Sequence, residues 1–546
     1  MLVHLVGSTA VLLEVDEPDL DGRDQDELAG GNLDDLAVVS GWQEALAAMV
    51  GDGRLRPPAE VVAGARTLLL DGVDVGSVLP RLDELRGSSA PSPHPPGPVV
   101  ELPVVYDGAD LDALARMWGT TQREVVARHT STEFRVAFCG FAPGFPYLVG
   151  FGRDVPRRAT PRACVPAGSV GLAGRYCGIY PTSSPGGWQL LGTTGAPLFD
   201  AERDPPALLP PGTRVRFLDV TPGRNGPDPD PSTRTHPAPS RPGQGGDRGS
   251  PVHLQDPAGR ALTVVRPGAL TTVQDAGRPG LAHLGVPRSG ALDAGAASLA
   301  NRLVGNPEGM AVLETTVTGV ALRAASSLTV AVTGALAAVW VDARPVPWGV
   351  SVGLAAGQVV DVGPAQVGVR SYLAVAGGVT VHAVLGSRST DTLSGLGPPP
   401  LREGTILVVG ARSHSVPAAD FTLPLPVADP VLLRITCGPR DDWFGAPGVA
   451  GLLAGPYVLS STSNRIGARL TGPPVPRLVD GELESEGMVL GAVQVPPNGQ
   501  PVVLLADHPT TGGYPVIGVV HPHDLAVLAQ TRPGAAVRFV IPSRRQ

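Results

Sequence analysis

The sequence contains no lysine: all 42 basic residues among its 546 are arginines. That absence excludes biotin or lipoate attached through a lysine, a Schiff base to a cofactor, and a P-loop grip on phosphate. Any anion must be held by arginine, hydroxyls or backbone N–H groups. Aromatic residues are scarce, at 4%. No run of about 18 apolar residues escapes interruption by Gly, Pro or charge, so no membrane-spanning helix is expected. The four cysteines, at 139, 164, 177 and 437, lack CxxC spacing. A disulfide-stapled secreted scaffold is therefore not indicated, and a reduced, cytoplasmic setting fits. With 50 acidic residues and a net charge of −8, the chain has no footprint for nucleic acid or an anionic membrane. The apolar opening, residues 1–15, has neither a basic leader nor a cleavage site, and reads as a strand and turn.

Glycine (71) and proline (59) together approach a quarter of the chain, which favours many short strands and turns over long helices. The length suffices for three or four domains. Two stretches cannot bury a side-chain face: 87–98 (GSSAPSPHPPGP) and about 221–260, the latter expected to be a disordered tether. They delimit segments 1–86, 99–220 and 261–546. In the first, Val11–Val15 and Thr67–Leu70 suit strands. Ser40-Gly-Trp-Gln43 has the spacing of a helix-start capping box, and 76–86 suits a helix with Val78, Leu79, Leu82 and Leu85 inward. In the second, a strand at Leu102–Tyr106 precedes helices at Asp110–Trp118 and from Thr121 to His129. Gly/Pro-punctuated strands follow, with the texture of a closed or nearly closed β-barrel. The third has room for two barrels, a helix over Leu292–Val304 and another starting at Asp524 as N-cap.

Generic catalytic signatures are missing: no GxxxxGK[ST], HExxH or EF-hand loop occurs, and Ser169 lies in Ala-Gly-Ser-Val-Gly, one glycine short of GxSxG. His521 and His523 lack a third ligand, so no metal site is expected. Four clusters carry polar groups in rigid Gly/Pro loops. In Gly140-Phe-Ala-Pro-Gly-Phe-Pro-Tyr147, the aromatics either wall a pocket or complete a barrel core. His129, at the end of the preceding helix, either packs or moves a proton. Gln274, Asp275 and Arg278 bring an amide, a carboxylate and a guanidinium together, either as a site or as a turn-locking ion pair. Gln494-Val-Pro-Pro-Asn-Gly-Gln500 and Asp507-His-Pro-Thr-Thr-Gly-Gly-Tyr514 offer hydroxyls and N–H groups to a phosphate or carboxylate, or form polar hairpins.

These motifs carry a resemblance. GFAPGFPYL (140–148), VPAGSVGLAG (165–174), IYPTSSPGGWQLLG (179–192) and VVAGARTLLL (61–70) resemble the smaller subunit of bacterial ATP-dependent 5-oxoprolinase. That is the KipI or allophanate hydrolase subunit 1 type, with carboxyltransferase subdomains C and D. TTVQDAGRPG (271–280), GVPRSGALD (285–293), ANRLVGN (300–306), LETTVTG (313–319), SNRIGARLTG (463–472), SEGMVLGAVQVPPNGQP (485–501) and TTGGYP (510–515) resemble the larger partner. That is the KipA or subunit 2 type, with subdomains A and B, related to urea amidolyase.

The chain thus looks like a fusion of the B-type and C-type 5-oxoprolinase subunits. The resemblance implies a mainly β protein with α+β elements: cyclophilin-like β-barrel domains at 99–220 and, paired, at 261–546, plus a small α+β N-terminal domain at 1–86. It also implies a shared cavity between the two halves. The implied activity is ATP-dependent opening of 5-oxo-L-proline to L-glutamate with a separate A-type component of the lactam-utilisation kind. ATP, as its Mg complex, would be the nucleotide, with no covalent biotin. Homo-oligomerisation stays open. The alternatives are the carboxyltransferase component of a biotin-dependent urea or amide carboxylase, and a non-catalytic regulator of a histidine kinase. Opening a lactam with ATP calls for oriented donors and charge neutralisation more than for a covalent nucleophile. His129, Asp275 and Arg278 are the expected catalytic residues. Phe141, Pro143, Gly144, Tyr147, Ser169, Gln189, Gln274, Ser289, Asp293, Gln494, Thr510, Thr511, Gly512, Gly513 and Tyr514 are the expected binding residues.

Overall fold

A computed structural model describes residues 1–16, 31–87, 99–222, 259–412, 420–481 apart from 425 and 427, and 483–542. The disordered connector expected at 221–260, and the linker at 87–98, lie outside the described residues except at their ends. The architecture is mainly β, in four units that follow one another along the chain.

The first unit is an antiparallel sheet of Leu2–Val6, Ala10–Glu14, Thr67–Asp71 and Glu60–Ala63, in that order across the sheet. Helix Gly31–Gly51 lays Val39, Trp42, Leu46 and Met49 on Val11, Leu13, Leu68 and Leu70. Ser40 is therefore inside the helix and does not start it. The apolar stripe already includes Val39, and its packing on the sheet outweighs the local capping signal. The helix expected at 76–86 is split into Val75–Val78, a 3₁₀ turn Leu79–Arg81 and Leu82–Gly87, because Pro80 supplies no N–H. Val78, Leu82 and Leu85 face inward, but Leu79 is exposed.

The second unit is a seven-stranded sheet that starts at Val99–Val104 and ends at Arg214–Asp219, two strands that pair in parallel. An antiparallel bridge from Val105 to Thr193 joins its two edges, so the barrel is nearly closed. Helices Leu111–Met117 and Gln122–Ser131 pack on it, the second opened by a true capping box. Thr121 Oγ1 accepts from Glu124 N at 3.2 Å, and the Glu124 carboxylate accepts from Thr121 N at 2.9 Å.

The third unit is a ten-stranded sheet built around the long strands Leu328–Val341 and Val359–Val375. Helix Ala294–Leu303 packs on both, with Asp293 as its N-cap. The fourth is a closed seven-stranded barrel from Val431–Cys437 to Ala536–Val540, whose first and last strands pair in parallel. Its helix runs Pro522–Ala529, so Asp524 sits in the first turn and His521 takes the cap. Proline at the first helical position is preset for the helix and moves the start upstream. The Asp524 carboxylate instead accepts from Arg434 N, Nε and Nη2. All four cysteines are free thiols. Among the described residues no helix is long and apolar enough to cross a membrane.

Candidate functional site

The chain's two halves, the first two units and the last two, meet along a continuous seam. From the N-terminal sheet, the Glu60 carboxylate accepts from Gly280 N at 2.9 Å and Ala282 N at 3.1 Å. Ala65 N donates to Ser485 O. Arg440 forks onto both oxygens of Glu14, at 2.9 and 3.0 Å, and also binds Glu486. Behind these polar contacts Val6, Leu12, Val62 and Leu69 pack with Ala282, Met488, Val489, Val516 and Val519. Each buried Val or Leu in such a cluster contributes roughly 1.5–3 kcal/mol.

From the second unit, the 140–147 loop enters the same seam. Cys139 bridges Leu284 in parallel, and Gly144 N donates to Leu284 O at 2.8 Å. Phe141 N donates to Thr511 Oγ1 at 3.0 Å, and Ser485 Oγ lies 3.5 Å from Tyr147 OH. Two glycines make this approach feasible. Gly144 has φ +73°, and a Cβ on Gly140 would run into the Thr511 side chain. Behind the loop, Phe145, Tyr147, Tyr180 and Trp188 pack edge to face, and burial pushes the Tyr180 hydroxyl up to about 12. Phe141, Gly144 and Tyr147 are thus brought together with Thr511, and Pro143 is buried in the same turn. Thr510 is buried with an unpartnered Oγ1. Gln494 Nε2 braces the loop through Met488 Sδ and Tyr514 O, Gly512 pairs with Glu486, and Gly513 and the exposed Tyr514 close the loop.

The other expected residues lie elsewhere. His129 is sealed in the second unit's core. Its Nδ1 is 2.7 Å from Tyr106 OH, its Nε2 is 3.4 Å from Cys177 Sγ, and Phe134, Phe151 and Phe217 surround the ring. Burial holds its pKa down at about 3, so the imidazole is neutral and without access to substrate. Ser169 is buried on a barrel strand, and Gln189 donates to Pro156 O; neither reaches the seam.

Asp275 and Arg278 form no ion pair, and each fastens the 384–391 loop separately. Asp275 accepts from Gly277 N, Ser387 Oγ, Ser389 Oγ and Arg388 N, while Arg278 Nη2 donates to Ser389 O at 2.5 Å. Burial lowers the Arg278 pKa, and its Nη1 has no partner; Gln274 Oε1, close by, is likewise unpartnered. Ser289 donates to Asp507, and Asp293 caps its helix and accepts from Gln530 Nε2. Two cavities, of about 500 and 320 Å³, are lined wholly by residues of the last two units. Neither is the expected cavity shared by both halves.

Two histidines that the sequence motifs did not single out stand at the seam. His508 Nδ1 is 2.8 Å from Pro509 O and His283 Nδ1 is 3.1 Å from Gly280 O. A carbonyl only accepts, so in each ring Nδ1 carries the proton and Nε2 carries a lone pair. Burial lowers the His508 pKa, and His508 also feels Asp71, Asp507 and Arg288. Burial raises the Asp71 and Glu60 pKa values. The signal for His508 was its place in the DHPTTGGY motif. Among the described residues no three His, Cys, Asp or Glu side chains converge as metal ligands.

Comparison with known proteins assigns each half. Residues 1–209 match the carboxyltransferase domain, subdomain C and D, and residues 284–541 match the carboxyltransferase domain, subdomain A and B. The C-type subunit of 5-oxoprolinase from Escherichia coli K12 is 39% identical over 282 residues, spanning 51% of this chain and 90% of that protein. The B-type subunit of 5-oxoprolinase from E. coli O157:H7 is 38% identical over 221 residues, 39% of this chain and 94% of that protein. The chain belongs to the family of B-type and C-type 5-oxoprolinase subunits, joined in one polypeptide. The crystal structure of TTHA0988 is similar along nearly the whole chain: TM-score 0.79, 35% identity, 99% of this chain and 100% of that one. The urea amidolyase of Lachancea kluyveri is 32% identical over 51% of this chain, which is 17% of that protein.

Proposed function

We propose that the chain supplies the B and C components of an ATP-dependent 5-oxoprolinase, opening 5-oxo-L-proline to L-glutamate with a separate A-type component. The observation that carries this reading is the seam, where the GFAPGFPY loop of the B-like half meets the DHPTTGGY loop of the C-like half. His508, a neutral imidazole at neutral pH, takes the proton-handling role first expected of His129. Its Nε2 can accept a proton from the water that adds to the lactam carbonyl and return it to the ring nitrogen as the C–N bond breaks. The buried Thr510 hydroxyl and the Arg288 guanidinium are the donors available to a carboxylate or carbonyl oxygen.

The residues present do not match a triphosphate. Around His508, Asp71 with Glu60 beside it offsets Arg288, and Asp507 is already paired with Arg465, so no excess positive charge is left for phosphates. We therefore place the nucleotide, with its Mg, on the separate component, and no step at the seam passes through it. ATP consumption and glutamate release with 5-oxo-L-proline test the reading. Substrate-stimulated ATP use is expected when the lactam-utilisation-type component is added, and its absence with and without that component would overturn the reading. The likeness to urea amidolyase over half the chain favours one second reading, a carboxyltransferase acting on urea or another amide. It would show as CO2 transfer from carboxybiotin on a separate carrier.

A further inference from the structure

We propose that Arg465 is a positioning residue: from inside the contact between the last two units it fixes the 507–514 loop that faces the B-like half. The inference rests on the functional reading above and deepens it by naming what holds the loop in register.

Arg465 belongs to the closed barrel and is 2% exposed. Its Nε and Nη2 lie 3.0 Å from the two oxygens of Asp507, its Nη1 binds Glu314, and its Nη2 donates to Gly290 O at 2.6 Å. Asp507, fully buried, accepts three further hydrogen bonds: from Ser289 Oγ at 2.8 Å, Thr392 N at 2.9 Å and Thr392 Oγ1 at 2.7 Å. Glu314 in turn accepts from Leu292 N and Tyr372 OH. One guanidinium of the fourth unit is thus clamped between Asp507 of its own barrel and Glu314 and the Gly290 carbonyl of the third unit. The carboxylate it holds most fully is the first residue of the loop that carries His508, Thr510 and Thr511.

Stability alone does not account for this arrangement. A buried ion triad gains little over apolar side chains of the same volume, since desolvation offsets the attraction. What the fork adds is direction, because two parallel N–H donors fix a carboxylate in position and in plane. From Asp507 the chain reaches Thr511 in four residues, one of them Pro509, and Thr511 Oγ1 accepts from Phe141 N. A displaced Asp507 therefore displaces the seam contact itself.

The test uses the full-length chain with its partner component and two variants. R465K replaces the fork with a single ammonium. T392V removes one hydroxyl donor to Asp507 at an exposed, nearly isosteric position, and so stays folded even if R465K does not. We expect kcat to fall about fivefold in T392V and about a hundredfold in R465K, with KM for 5-oxo-L-proline and, in T392V, Tm nearly unchanged. Amide hydrogen exchange should quicken about tenfold at 508–513 while the barrel strand Val502–Leu504 keeps its protection. Unchanged exchange at 508–513, or unchanged kcat beside a lowered Tm, would overturn the inference. An inert wild type would overturn the functional reading instead, and the exchange measurement would still decide whether Arg465 positions the loop.

Discussion

His129 and Gly140 belong to the same barrel and should fail in opposite ways when changed. His129 is neutral in the fold, with a pKa of about 3 against an ordinary 6.5. Below pH 6.5 the unfolded chain takes up a proton that the native state refuses, so stability falls as pH drops from about 6.5 toward 3 and is flat above that window. H129F should flatten this acid limb in a plot of Tm against pH. It should also lower Tm near neutrality by removing the imidazole to which Tyr106 OH bonds, and leave turnover per folded molecule unchanged. A large loss of turnover at unchanged Tm would return His129 to catalysis. At Gly140 the expectation reverses. An added Cβ meets Thr511, with Cγ2 at 2.6 Å, so G140A should disturb the seam and cut turnover at least tenfold, with a smaller effect on the barrel's own unfolding. The Gly/Pro loops were legible because their demands are local. The burial of His129 was not, since Tyr106, Phe151 and Phe217 come from three distant places along the chain.

Helix starts show the same division between local and distant causes. Thr121 was readable as a cap because both of its hydrogen bonds close within three residues. Ser40 misled because the apolar stripe of its helix extends upstream, and Asp524 because Pro522 moves its helix start upstream as well. Asp293 combines both causes: it caps Ala294–Leu303 through Ala296 N and reaches across units to Gln530 Nε2. Gln530 also takes Val369 N and Arg370 N on its own Oε1, so it pins the long strand Val359–Val375 to the last helix of the closed barrel. D293A should therefore cost more than an ordinary cap, about 2–3 kcal/mol, the loss of a cap plus one buried Gln530 amide N–H left without its acceptor. D293N, which keeps an acceptor at the cap, should cost less than half of that. Chemical denaturation of the two variants against the parent separates them, and equal losses would show that the cap carries no weight and the cross-unit bond all of it.

The partition into two halves was plain in the motifs, whereas the contacts that join them are scattered through the sequence. Glu14, Glu60, Arg440 and Glu486 belong to no motif that marks them as partners. Glu14 and Arg440 are 426 positions apart. Arg440 and His4 hold the Glu14 pKa down at about 2 despite its burial, so this carboxylate stabilises the seam fully above about pH 4.5, and the contribution is lost as pH falls toward 2. Removing Arg440 leaves Glu14 and Glu486 facing each other in a buried place, which costs about 3–5 kcal/mol by the general cost of stranding a buried charge. The seam also carries an apolar cluster and the backbone bonds to Glu60, Leu284 and Ser485, and the relatives of the two halves are separate subunits. The connector between residues 222 and 259 is then dispensable for association. A protease site placed within it should, after cleavage, leave both fragments co-eluting on gel filtration at micromolar concentration and neutral pH. The cut R440A protein should separate on dilution, and the cut parent should do so only near pH 3. Parent fragments that part at neutral pH would mean that the connector, not the seam, holds the molecule together.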